Sequence, residues 1–207
     1  MQKIAVLAVG PGSPEHLTPA VARQAADCDL LVGGRRNLAL FNFPNQEKIE
    51  ITGKIAPVID QIKAKMTDRK VGILVSGDTG IYSILPRLVS EFGREALDVF
   101  PGISAVQYLF ARLGLTWEKA SFVSLHGRQC DDLPAILKSP LPVVFFTDRQ
   151  NTPALVCRML VDAGLTEKKV YLGEDLSYAH EKISEGRPEE FLNYRASELN
   201  LVVIVNE

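Results

Sequence analysis

Glycine, proline and a single carboxylate carry the first chemical signal in this chain. Gly10-Pro11-Gly12, Ser76-Gly77-Asp78-Thr79-Gly80 and Pro101-Gly102-Ile103-Ser104 each follow a short apolar run, where a strand would end and a helix begin. In an open α/β sheet, ligands bind in the crevice outside the carboxyl ends of the strands. Glycine at such ends lets main chain approach a ligand closely. Three turns of this kind point to one shared site built largely from main chain. Neither a Walker Gly-Lys-Ser/Thr loop nor a G-x-G-x-x-G fingerprint accompanies them. Pro11 and Pro14 remove backbone donors that a phosphate site would use. The first turn therefore suits a rigid wall beside an uncharged or cationic ligand, or simply a stiff strand-to-helix turn. Asp78, flanked by Gly77 and Gly80, can hold an ammonium or a ribose hydroxyl; it can equally cap the next helix.

Two basic segments offer a different chemistry. Gly33-Gly34-Arg35-Arg36 puts two guanidiniums at a helix start, and Ser124-Leu125-His126-Gly127-Arg128 ends a strand with a histidine and an arginine. An arginine fork binds carboxylates through two parallel hydrogen bonds. Arg35, Arg36, His126 and Arg128 are thus candidate grips for an anionic substrate, with a solvated basic helix start as the competing reading of the first pair. No G-x-S-x-G elbow and no HExxH occurs. His16, His126 and His180 are widely separated, so no metal is expected.

These residues need elements to position them. Residues 4–9, 29–32, 71–75 and 97–100 read as buried strands, being short and nearly continuous apolar runs. Helices are expected at 20–28, capped by Thr18 with Pro19 in the first turn, and at 35–41, 55–66, 82–92 and 105–113. This alternation predicts a mostly parallel sheet. Further strands are expected at 122–125, 143–147, 170–173, 181–184 and 201–205, with helices at 133–137 and 154–163. The closely spaced later strands predict antiparallel pairing. The fold class is α/β, in two domains: 1–115 with a mostly parallel sheet, and 116–207 with a mixed one.

The 207 residues allow one large or two small domains, and a net charge of −2 gives no basis for non-specific nucleic-acid binding. Cys28, Cys130 and Cys157 form no CxxC pair, so neither zinc nor a disulfide framework is expected. Reduced cysteines fit a cytoplasmic protein. No signal peptide is expected, and no apolar run approaches the ~20 residues of a membrane helix.

The three glycine turns, extended to Gly10-Pro11-Gly12-Ser13-Pro14-Glu15-His16-Leu17-Thr18, Ser76-Gly77-Asp78-Thr79-Gly80-Ile81-Tyr82 and Pro101-Gly102-Ile103-Ser104-Ala105, resemble the motifs of the tetrapyrrole methylases. The chain departs from the usual motifs at Ala8, Ser13 and Thr79. The resemblance runs to the terminal strand. Val32-Gly33-Gly34-Arg35-Arg36-Asn37-Leu38, Ala111-Arg112-Leu113-Gly114-Leu115-Thr116-Trp117 and the His126–Arg128 segment narrow it to members that methylate C5 of a precorrin in cobalamin synthesis. The resemblance implies a two-domain enzyme, usually a homodimer, with S-adenosylmethionine in the cleft between domains. It implies cofactor contacts from Pro11, Gly77, Asp78, Thr79, Ile81, Ser104 and Ala105, and from Thr147, Leu172 and Leu176. Arg35, Arg36, His126 and Arg128 would grip the tetrapyrrole's carboxylates, with His126 and Arg128 nearest the chemistry. The turns report cofactor rather than substrate. Methylation at another ring carbon therefore stays open, as does a non-catalytic subunit assembling with a C15-methylating, decarboxylating partner.

Overall fold

The computed structural model describes residues 3–125 and 133–206. The chain forms two compact units, Met1–Ser104 and Ala105–Glu207.

In the first unit, strands β1 (Ile4–Ala8), β2 (Leu30–Gly33), β3 (Glu47–Glu50), β4 (Val71–Val75) and β5 (Leu97–Phe100) form one sheet in the order β3-β2-β4-β1-β5. Every pairing in it is parallel. β1 and β4 are buried along their whole length, which is why they read as unbroken apolar runs. Helices α1 (Pro19–Ala26) and α2 (Arg35–Ala39) cover one face. There Val21, Ala25, Leu38 and Phe41 pack with Ala5, Leu7, Leu31 and Leu74. Helices α3 (Ala56–Lys65) and α4 (Leu85–Phe92) cover the other, where Val58, Ile62 and Leu88 meet Ile4, Val6, Val32 and Ile73. Burying each such aliphatic side chain contributes roughly 1.5–3 kcal/mol.

Two local details differ from expectation. β3 escaped sequence reading because Glu47-Lys48-Ile49-Glu50 has one apolar residue; it is an edge strand, where charge blocks stray pairing. Helix α4 starts three residues later than expected. Tyr82 sits at φ 44°, and the Ser83 hydroxyl oxygen accepts the Leu85 amide at 3.1 Å, so the chain turns before the helix starts.

The second unit begins with helix α5 (Ala105–Leu113) and carries β6 (Ser121–Ser124), α6 (Leu133–Leu137), β7 (Val143–Phe146), α7 (Pro153–Asp162), β8 (Lys169–Glu174), β9 (Lys182–Gly186) and β10 (Asn200–Val205). The sheet order is β6-β7-β10-β8-β9, with β6 and β7 parallel and the other pairs antiparallel. Helix α5 buries Val106, Leu109 and Phe110 against Val144, Leu201 and Val203 on one face. Val156, Cys157 and Leu160 of α7 pack on the other, against Val143, Phe145, Val202 and Ile204. The division between units at 104/105 falls ahead of the turn at Gly114 that suggested 115/116. The difference is α5, whose apolar face belongs to the second core.

Candidate functional site

All five strands of the first sheet run the same way, so their carboxyl ends share one edge. The turns after β1, β4 and β5, and the basic start of α2 after β2, all lie along it. The crevice is set by topology. β1 and β4 are neighbours, yet the helices that follow them, α1 and α4, cover opposite faces of the sheet. That divergence is the switch point at which open α/β sheets bind ligands.

At this point the glycine turns meet one another. Gly10 and Gly77 form a two-way backbone bridge, Gly77 N to Gly10 O at 2.7 Å and Gly10 N to Gly77 O at 3.2 Å. Both have left-handed backbones, φ 80° and 68°, which favour glycine. Gly102 completes the group. A Cβ there would stand 2.6 Å from Gly77 O, 2.8 Å from Ala8 O and 2.8 Å from the Ala8 Cβ. The Ser13 hydroxyl, at one of the departures from the family motif, accepts the Glu15 amide at 3.2 Å and caps a short 3-10 turn.

The Asp78 carboxylate ties these turns together. Its Oδ1 accepts the Gly80 amide at 2.7 Å and its Oδ2 the Gly102 amide at 3.0 Å. Asp78 therefore both turns its own loop and fastens the second turn to the third. Thr79 is buried and its carbonyl accepts the Ser83 hydroxyl at 2.5 Å; Ser104 is buried too, and Pro11, Ile81 and Ala105 are half-buried. With the Gly10, Gly77, Gly80 and Gly102 amides all spent within the protein, the edge is poor in donors for a phosphate. It keeps close main chain, carbonyl oxygens and a carboxylate, a combination that suits a cationic or neutral ligand.

Arg35 and Arg36 are exposed at the start of α2. The Ser76 hydroxyl donates to Asn37 Oδ1 at 3.1 Å, which links α2 to the second glycine turn. The structure thus brings Arg35, Arg36 and the glycine turns to one sheet edge. His126 and Arg128 lie outside the described residues.

In the second unit the carboxyl ends of β6, β7 and β8 and the start of β10 also share an edge. Thr147, just past β7, is buried and its hydroxyl donates to Asn200 Oδ1. Leu172 lies within β8, fully buried and paired with Val202 and Ser184, so its side chain belongs to the core. Leu176 follows β8 and packs with Val106, Leu109 and Phe110. Asn200 and Tyr194 are not among the candidates named from the sequence, and Glu174 enters only as part of the stretch from Leu172 to Leu176. Glu174 ends one apolar run and Asn200 opens another, whereas Tyr194 carries no such signal.

The two cysteines described are both buried. Burial pushes the Cys28 thiol up to about 11, reinforced by Asp27 and Asp29, and pushes Cys157 up to about 12. Neither can supply appreciable thiolate near neutrality. In native protein at pH 8, iodoacetamide should leave both unmodified, and unfolding should expose both, as read by peptide mass mapping. Rapid native labelling of Cys157 would contradict this packing. Among the described residues, no group of His, Cys, Asp or Glu is arranged to hold a metal ion, and no helix is long and apolar enough to cross a membrane.

Residues 3–191 match the Tetrapyrrole (Corrin/Porphyrin) Methylases, and the chain belongs to that family. Within it, the chain is similar end to end to the cobalt-precorrin-7 C(5)-methyltransferase of Salmonella typhimurium, at 34% identity over 204 residues and 99% of each chain. A precorrin-6Y C(5,15)-methyltransferase [decarboxylating] of Sinorhizobium sp is 23% identical over 202 residues, which span 97% of this chain and 49% of that protein. Among solved structures, the uroporphyrin-III C-methyl transferase of Thermus thermophilus complexed with S-adenyl homocysteine matches with a TM-score of 0.77 and 21% identity, over 98% of this chain and 92% of that one. That likeness concerns the fold.

Proposed function

We propose that this chain transfers a methyl group from S-adenosylmethionine to C5 of cobalt-precorrin-7. The observation that carries the reading is the end-to-end similarity to the Salmonella C5-methyltransferase, in a chain whose three glycine turns converge at the switch point of a parallel sheet. The site fits the cofactor on its own chemistry: absent Cβ atoms let the three turns close on one another, so the edge offers main chain and one carboxylate, with the Gly10, Gly77, Gly80 and Gly102 amides already engaged.

When bound, S-adenosylmethionine supplies a methyl group already activated by its positive sulfur. The protein's task is then alignment, which can contribute about 7–11 kcal/mol towards lowering a barrier. Pro11, Gly77, Asp78, Thr79, Ile81, Ser104 and Ala105 are the proposed cofactor contacts of the first unit, and Thr147, Leu172 and Leu176 those of the second. Leu172 would act through its backbone, because its side chain is in the core. Arg35 and Arg36 are the proposed grips for substrate carboxylates, joined by His126 and Arg128. Replacing Arg35 and Arg36 together by alanine should raise KM for the tetrapyrrole at least about tenfold, from lost charge-assisted hydrogen bonds. The affinity for S-adenosylhomocysteine should stay unchanged by calorimetry. A parallel loss of both affinities would argue against a substrate role for this pair.

We further propose a cytoplasmic homodimer working beside a separate C15-methylating decarboxylase. The two described cysteines, both buried and in no disulfide, support the compartment. The partner is supported by the match to half of a relative named for both ring positions. The activity is tested by incubating the pure protein with S-adenosylmethionine and cobalt-precorrin-7. One methyl gained per tetrapyrrole, with one S-adenosylhomocysteine formed, is expected. No methyl gain, by a protein that binds both compounds, would favour a non-catalytic subunit.

A further inference from the structure

The strongest unexplained feature is a line of polar groups across the carboxyl edge of the second sheet. Glu174 ends β8 and is almost wholly buried. Its Oε2 accepts the Tyr194 hydroxyl at 2.6 Å and its Oε1 the Ser197 amide at 2.7 Å. On one side, Lys182, the cross-strand neighbour of Glu174 on β9, donates to the Tyr194 hydroxyl oxygen at 2.5 Å and stands 4.8 Å from its ring centroid. On the other, the Ser197 carbonyl accepts Asn200 Nδ2 at 2.7 Å, and Asn200 Oδ1 accepts the Thr147 hydroxyl. The chain Lys182–Tyr194–Glu174–Ser197–Asn200–Thr147 therefore crosses β9, β8, β10 and the end of β7.

What this chain holds is strained. Immediately after Glu174, Asp175 and Ser177 both have left-handed backbones, φ 45° and 69°. Non-glycine residues persist there only where the surroundings over-determine them, and such turns cluster at ligand sites. The Asp175 amide donates to Leu199 O at 2.8 Å and the Ser177 amide to Glu181 Oε2 at 2.6 Å. Glu181 in turn pairs with Arg112 of α5 at 3.3 Å. A buried carboxylate is a poor route to stability, since apolar packing serves as well. A fully bonded network does fix geometry.

We propose that Glu174 and Tyr194 are positioning residues. Through Ser197 and Asn200, they lock the turn at 174–178 and Thr147 into a single rigid edge that presents the cofactor contacts proposed for the second unit. The inference rests on the cofactor reading above, and it adds a coupling between two stretches of that site.

The test uses Tyr194→Phe, which keeps the ring and its edge contact with Phe191, and Glu174→Ala with Glu174→Gln as the conservative partner. Backbone hydrogen exchange without ligand should quicken at 174–178 and at 147–148 together in Tyr194→Phe. KM for S-adenosylmethionine should rise about tenfold in Glu174→Ala, as expected for a lost network bond. KM for the tetrapyrrole should not change, and Glu174→Gln should recover part of the loss. The proposal is overturned if exchange quickens at 174–178 alone, or if both KM values move by one factor. Failure of the unaltered protein to bind S-adenosylhomocysteine would overturn the cofactor reading, with the exchange experiment still reporting on the coupling.

Discussion

Gly102→Ala should lose S-adenosylhomocysteine binding by at least about a hundredfold, the scale set by a misplacement of roughly 1 Å in an aligned site. The added Cβ would fall 2.6 Å from Gly77 O and 2.8 Å from both Ala8 O and the Ala8 Cβ. These are main-chain atoms and a Cβ in or beside β1 and β4, with no flexible side-chain tip to yield. The third turn must lift away from the other two. Overpacking of this kind costs about 1–3 kcal/mol of stability, so the variant should fold with a lowered Tm while its cofactor site is displaced. Gly53→Ala is the control, since a Cβ added there would meet nothing within 4 Å. Calorimetry on the two variants should separate them cleanly. A Gly102→Ala protein that binds with native affinity would mean that the convergence of turns is not the cofactor site.

Asp78→Ala should weaken cofactor binding by about tenfold or more and lower stability by about 1–3 kcal/mol, because two amides lose a charged acceptor. The upper figure needs both amides to be shielded from water, and Asp78 is half-buried, so the lower part of the range is expected. Asp78→Asn keeps one acceptor oxygen and should fall between. Asp78 and Gly102 act on the same turn, joined by the 3.0 Å bond from the Gly102 amide. Their effects should therefore be less than additive in the double variant. Full additivity, measured by denaturant unfolding and by calorimetry, would say that Asp78 does not act by tying the turns.

The parts of this fold legible in advance were those with a strong local cause. β1 and β4 are buried on both faces and so read as continuous apolar runs. Helix α1 announced itself through Thr18, whose hydroxyl accepts the Val21 amide at 3.3 Å, and through Pro19 in the first turn. β3 was invisible because an edge strand of alternating charge has no such signature. The membership of α5 was hidden for a different reason. The turn signal at Gly114 is real, φ 66°, but what assigns a helix to a core is its apolar face, and Val106, Leu109 and Phe110 face the second sheet.

The site divides the same way. The three glycine turns could be found because glycine is demanded by local backbone and by close approach. Their mutual contacts could not, since nothing local ties Gly10 to Gly77 or Asp78 to the amide of Gly102, 24 residues on. The Thr147–Asn200 bond spans 53 residues and the Glu174–Tyr194 bond 20. Such pairs are set by which strands become neighbours, and β10, the last strand in the chain, lies between β7 and β8.

The central claim, methyl transfer to C5, is met most directly by one measurement. The protein is incubated with S-adenosylmethionine carrying a 13C-labelled methyl group and with cobalt-precorrin-7, and the product is read by NMR. A single labelled methyl bonded to C5 is the predicted result. A label on any other ring carbon, or an unlabelled tetrapyrrole recovered from a protein that binds both compounds, would contradict it.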